Sequence, residues 1–183
     1  MENEKDTLRD RLIVEGAKEI AENGIAGFSL RKIAAKCGTS CAAPYKHFKN
    51  KDELILEIIH YINAQWELLR DQILSIFEGN TKRTLVEVCI AYIRFYVTNP
   101  SYRKVLSAYN RDTGSIEHSF AEIDTLVHTY CREVGDSEEQ TRLRTLAIKA
   151  KIYGITAMLE HEELPNNEKT FAMIREILEE ELN

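Results

Sequence analysis

The chain has 183 residues, 44% of them apolar and 30% charged, with a formal net charge of -6. This is the balance of a soluble globular protein, and only three prolines and eight glycines leave room for long helices. The opening MENEKDTLRDR is too charged to read as a signal peptide, and no apolar run approaches the ~18 residues of a membrane span. A cytoplasmic protein with reduced thiols and no membrane partner is expected.

Helical periodicity dominates and no alternating strand pattern is found. Residues 7–23 place Leu8, Leu12, Ala17, Ile20 and Ala21 on one stripe, and Gly24 follows as a stop. Ser29 suits the N-cap of a short helix carrying Leu30, Ile33 and Ala34, which Gly38 ends. Thr39 or Ser40 would cap a third helix to about Phe48. Asn50, with Glu53 three residues on, opens a longer fourth helix that runs through Leu54, Ile58 and Trp66 to about Gly79. Thr81 opens a fifth, with Leu85, Val88, Cys89, Tyr92, Ile93 and Tyr96 on its apolar side, ended by Asn99-Pro100. A short aromatic segment spans residues 101–114, and a further helix spans 115–134. Ser137, with Gln140 three residues later, begins a long helix to about Glu163, and a last helix covers residues 168–182. About nine helices and no sheet place the chain in the all-α class.

The long helix from 139 to 163 is apolar on two sides. Ala147, Ala150, Gly154 and Ala157 lie on one face, and Ile148, Ile152, Ile155 and Leu159 on the opposite one. Such a helix needs cover on both sides. With Phe171, Ile174 and Leu178 of the last helix, the small-residue face is expected to build a homodimer as an intermolecular four-helix bundle.

Residues 23–51 contain no Asp or Glu but six Lys/Arg, in a chain that is acidic overall. Within this window two helix patterns meet at Cys37-Gly38, the spacing of a helix-turn-helix whose second helix enters the major groove. Basic charge concentrated on such a unit is the footprint of a DNA-docking surface. Cys37, Cys41, Cys89 and Cys131 are too scattered for a disulfide framework, and Cys37-x-x-x-Cys41 has no second pair to complete a zinc site. Cys37 reads as a small buried thiol and Cys41 as an exposed one, whose oxidation would obstruct docking.

The run from Gly24 and Gly27-Phe28-Ser29-Leu30-Arg31-Lys32-Ile33-Ala34 through Cys37-Gly38-Thr39-Ser40 continues into Ala43-Pro44-Tyr45-Lys46-His47-Phe48 and Asn50-Lys51. With Glu53-Leu54 following, it closely resembles the TetR family of bacterial transcriptional regulators over about residues 7–55. Pro44 departs from the commonest pattern, which has a branched apolar residue there. The resemblance implies a helix-turn-helix DNA-binding domain over residues 1–54 and a helical effector-binding and dimerisation domain over 55–183. The first carries a net charge of +1 and the second -7. Arg31 would reach a base edge by that resemblance, and arginine to guanine is the commonest specific contact. Tyr45, Lys46, His47 and Lys51 suit a grip on phosphates, and Lys51 also sits near a helix N-terminus that favours anions. Ser29 leaves backbone amides for a phosphate, Ser40, Cys41 and Ala42 start the groove-facing helix, and Lys32, Lys36 and Lys49 add general field.

The second domain is expected to hold a small-molecule effector, with Tyr92, Phe95, Tyr96, Tyr102, Tyr109, His118, His128 and Tyr153 as pocket residues. The whole reads as a homodimeric repressor on double-stranded DNA, released from a palindromic operator by its effector, with no catalytic residues, cofactor or metal. An adaptor controlled by a protein partner is the alternative. A metal-dependent helical enzyme is a third reading, because Glu57-x-x-His60 is one half of a di-iron pair, but no other His has a Glu three residues before it.

Overall fold

The computed structural model describes residues 7–99 and 118–183. Among these there are seven α-helices and no strand: α1 (Leu8–Gly27), α2 (Leu30–Lys36), α3 (Lys51–Ile76), α4 (Thr81–Thr98), α5 (His118–Val134), α6 (Glu138–Glu160) and α7 (Glu168–Glu181). The expected short segment 101–114 and the start of the helix at 115 lie outside the described residues. The all-α class follows directly, with no described helix long and apolar enough to cross a membrane.

The helix ends follow from local chemistry. Thr7 and Asp10 exchange hydrogen bonds as a capping box at α1, and Ser137 and Gln140 do the same at α6. Asn50 accepts from the Glu53 N–H at 2.9 Å, and the Glu53 carboxylate reaches back to the Lys49 N–H. Gly24 breaks α1 with a positive φ of 65°, so the last turn to Gly27 follows a kink. Two of the caps are Schellman motifs. At α2, Thr39 N–H bonds the Ala34 carbonyl and Gly38 N–H the Ala35 carbonyl, with Gly38 at φ 67°. At α6 the same pattern places Glu162, a side-chain-bearing residue, at φ 59°.

The chain divides into two compact units, with the boundary inside α3 between Trp66 and Glu67. In the first, α1 and α2 pack together with the first turns of α3 around Leu12, Ile20, Phe28, Ile33, Ala34, Phe48, Leu54 and Ile58. Gly16 lets α1 approach α3 closely, since a Cβ there would stand 2.5 Å from Ile58 Cδ1.

In the second unit α4 is the central helix, in contact with α5, α6 and α7. Its buried residues, from Thr84 and Leu85 to Ile93 and Tyr96, cover most of its circumference, as a helix enclosed on several sides requires. Ion pairs tie its rim, with Arg94 to Glu168 and Glu87 to Arg175. The C-terminal end of α7 is held by three donors from other helices: Lys82 and Tyr130 donate to the Leu182 carbonyl, and Arg144 to that of Glu181. Lys151 adds an ion pair to Glu181.

Candidate nucleic-acid interface

The turn at Gly38 leads into the segment expected to form the groove-facing helix, and here the structure corrects the expectation. Residues 40–48 are not an α-helix but a run of tight turns holding a single 3-10 turn, Pro44–Lys46. Proline has no N–H to give the Ser40 carbonyl, which instead takes the Ala43 N–H at 3.0 Å. Lys46 and His47 likewise bond three residues back, to the Ala43 and Pro44 carbonyls. No side-chain cap from Ser40 or Thr39 starts the turn, and Ser29 heads α2 without a side-chain cap bond. Ala43, Pro44 and Phe48 are buried, which turns Ser40, Cys41, Ala42, Tyr45, Lys46 and His47 outward. Tyr45 keeps 60% of its surface exposed, a large amount for a ring with no structural duty.

The basic residues of the window sort into two groups. Arg31, Lys46 and Lys49 are exposed, and among the described residues no carboxylate stands within 4.0 Å of them. Lys32 and Lys36 are different. Lys36 Nζ sits 3.1 Å from Glu19 Oε2 and 3.0 Å from Glu22, and Lys32 Nζ lies 3.4 Å from Glu19 Oε1. The hydrogen bond from Lys36 holds the Glu19 carboxyl below its usual range, and Glu22 together with Glu19 raises the Lys36 ammonium.

Lys51 is half-buried. Its ammonium donates to the Ile25 carbonyl at 3.3 Å and lies over the Phe28 ring, pinning the start of α3 to the end of α1. An ammonium has three donors, so two remain for a phosphate. Arg9 lies over the Phe48 ring and pairs with Glu57. That pairing engages the carboxylate of the Glu57-x-x-His60 half-site, and His60 Nδ1 stays 3.9 Å away. Among the described residues, no group of three His, Cys, Asp or Glu could hold a metal ion.

Cys41 is exposed and Cys37 half-buried, where burial raises its thiol pKa. Cys89 and Cys131 are buried, and burial pushes Cys89 up to about 12.

A family model described as bacterial regulatory proteins, tetR family, matches residues 12–58, the stretch that holds α1, α2, the exposed turn and the start of α3. Over this segment, about a quarter of its length, the chain matches the TetR family of bacterial regulators. The TetR-type helix-turn-helix is thus the part of the fold that carries Arg31, the 40–47 surface and Lys51.

The HTH-type transcriptional regulator YerO of Bacillus subtilis (strain 168), itself uncharacterised, is 37% identical over 59 residues. The match covers 32% of this chain and spans 19% of the length of YerO. The fold extends further. A putative TetR-family regulator from Rhodococcus sp. superposes with a TM-score of 0.65 at 19% identity, covering 94% of this chain and 95% of its own. FadR from Bacillus subtilis, solved in complex with stearoyl-CoA, superposes with a TM-score of 0.62 at 17% identity, covering 92% and 96%.

Of the residues expected to line an effector pocket, Tyr92 and Tyr96 are buried with rings 4.4 Å apart. Phe95 stands edge-on to Tyr96, while the Phe120 ring lies tilted against both Tyr92 and Tyr153, with centroids at 4.8 and 5.0 Å. Phe120 was not among the expected residues, although it follows the helix-opening His118 by two positions. His128 is apart from this row, exposed on a groove of 490 Å³ with Arg142, Leu146 and Lys149. Tyr102, Tyr109 and the His118 side chain lie outside the described residues.

The dimer set needs a correction. Phe171, Ile174 and Leu178 are buried within their own unit and offer nothing to a partner, because the stripe they form is the one that seats α7 on α4 and α6. Ala150 and Gly154 are exposed and Ala147 and Ala157 half-buried. They adjoin Leu143, Leu146 and Tyr153, which are 61%, 66% and 54% exposed. Leu143, Leu146, Ala147 and Ala150 line an open groove of 780 Å³ between α6 and α7.

Proposed function

We propose that this TetR-family chain is a homodimeric repressor that reads a palindromic operator and leaves it when a small effector binds the α4–α7 unit. The observation that carries the DNA part is the exposed 40–47 segment, which holds Lys46 and is flanked by Arg31 and Lys49, none of the three with a carboxylate partner among the described residues, in a protein that is acidic elsewhere. Phosphate contacts from Tyr45, Lys46, His47 and Lys51 give affinity, and Arg31, with Ser40, Cys41 and Ala42 at the groove, gives preference for sequence. Ser29 heads α2 with free backbone amides, a further place for a phosphate.

The open face of Leu143, Leu146, Ala150, Tyr153 and Gly154 supports pairing of two copies, which would set two reading units about one DNA turn apart, or a multiple of it. The aromatic row Tyr92, Tyr96, Phe120 and Tyr153 supports a mainly apolar effector, and FadR, of like fold, holds an acyl-CoA. A cytoplasmic location and a non-enzymatic role accord with this reading.

Gel-shift and anisotropy titrations with the DNA flanking its own gene test it directly. A specific complex on a palindromic segment is expected. Tyr45→Ala should weaken binding across sequences, and Arg31→Ala should relax preference at one base. Wild-type protein that binds no segment more tightly than arbitrary DNA would overturn the proposal. Control by a protein partner would instead show as a specific complex that no small molecule dissolves.

A further inference from the structure

Glu19 lies where an apolar residue is due. It occupies the buried stripe of α1 between Gly16 and Ile20, and its side chain is only 1% exposed. A carboxylate in such a place requires charge compensation, and both partners come from α2, the helix that precedes the reading turn. Lys36 approaches one oxygen at 3.1 Å and Lys32 the other at 3.4 Å; the second oxygen has no hydrogen bond of its own. Glu22, one helical turn on, takes Lys36 as well. Lys32 and Lys36 are four apart and so share one face of α2, whereas Arg31 lies off that face and has no acidic partner among the described residues.

We infer that Glu19 is a positioning residue that withholds Lys32 and Lys36 from DNA and leaves Arg31 as the one basic side chain of α2 free to read it. This rests on the DNA-binding reading above. Two ammonium groups held by a buried carboxylate neutralise no phosphates, so they release no counterions and add nothing to sequence-independent affinity. Affinity for arbitrary DNA is thereby lowered without touching Arg31, and the ratio of specific to non-specific binding rises. The same pairs fix the angle of α2 on α1, and with it the direction in which Arg31 leaves the surface.

Salt titration of full-length protein on a short duplex of arbitrary sequence reads the number of phosphates neutralised. Each engaged lysine adds about 0.9 to the slope of log affinity against log salt concentration. In the wild type, Lys32→Ala should leave the slope unchanged while Lys46→Ala lowers it by about 0.9 per chain. Glu19→Gln should steepen the slope by up to about 1.8 per chain, and Lys32→Ala in that background should then lower it. Glu22→Gln, on an exposed side chain and with the fold unthreatened, should steepen it by at most about 0.9. Thermal melts and circular dichroism confirm that each variant is folded. A wild-type slope that falls as much for Lys32→Ala as for Lys46→Ala would overturn the inference, as would unchanged slopes in both glutamate variants. Wild-type protein with no affinity for DNA at any salt would instead sink the functional reading on which it stands.

Discussion

Gly16→Ala tests whether the helix-turn-helix unit is held by close packing of α1 on α3. The alanine Cβ would stand 2.5 Å from Ile58 Cδ1 and 3.3 Å from its Cγ1. Carbon atoms settle at about 3.5–4.0 Å, so one side must give by about 1 Å. Ile58 is fully buried, and protein interiors are close-packed, so its retreat displaces neighbours. Overpacking of this kind costs about 1–3 kcal/mol, while replacing glycine by alanine inside a helix returns about 1 kcal/mol. A net loss of about 1 kcal/mol is therefore expected. Ile58→Val removes the offending methyl and alone should cost about 1 kcal/mol. In the double variant the alanine methyl fills the vacated space, so the two losses should fall short of their sum by about 1 kcal/mol or more. Urea unfolding followed by the emission of Trp66, the only tryptophan and a buried residue of the same unit, measures all four proteins. A Gly16→Ala protein more stable than wild type by about 1 kcal/mol, with strictly additive losses, would refute the argument.

Four further outcomes are expected. Lys51→Met keeps the apolar stem over Phe28 but loses the charged hydrogen bond to Ile25, so the unfolding midpoint should fall by the equivalent of about 1 kcal/mol; an unchanged midpoint would free Lys51 of its structural part. Glu162→Gly removes a side chain from left-handed backbone and should raise the melting temperature, with a gain of about 1 kcal/mol; a lower melting temperature would count against the Schellman geometry. A thiol reagent at neutral pH should modify Cys41 first and Cys37 slowly, while Cys89 and Cys131 stay intact until unfolding, as mass spectrometry of digested protein would show. Leu146→Asp should give monomers by light scattering with operator affinity sharply reduced; a dimer that persists would remove the α6–α7 face from the proposed interface.

The helix-turn-helix was legible because its signals are local. The acid-free sequence and the glycine at Gly38 are such signals, and the Schellman cap was implicit in that glycine, whereas Ser29 stands at the head of α2 without the side-chain cap bond its residue type suggests. The conformation of residues 40–48 was less so. Pro44 announced the loss of one bond, but not that the Ser40 carbonyl would close a tighter turn with Ala43 and carry that pattern on to His47. Glu19 was visible as an acid in the α1 stripe, yet its two partners lie 13 and 17 residues away, beyond helical spacing. Phe171, Ile174 and Leu178 show the same limit in reverse: periodicity gives an apolar stripe, and only the fold says whether the stripe meets its own core or a second molecule.

The donors gathered at the end of α7 bear on how the open α6–α7 face would meet a second copy. A helix end ordinarily frays, so its amides exchange with solvent turn by turn. Here Lys82, Tyr130 and Arg144, from three different helices, close on the carbonyls of Glu181 and Leu182. Further back along α7, Glu168 and Arg175 pair with Arg94 and Glu87 of α4. The bonds to Glu181 and Leu182 join the last turn of α7 to three neighbouring helices, so opening that turn would break bonds to all of them. A surface held by such bonds before contact would lose less conformational entropy on docking than a frayed helix end. Pairing through α6 and α7 would thus need only modest contact area, and its rate would be set by encounter rather than by ordering.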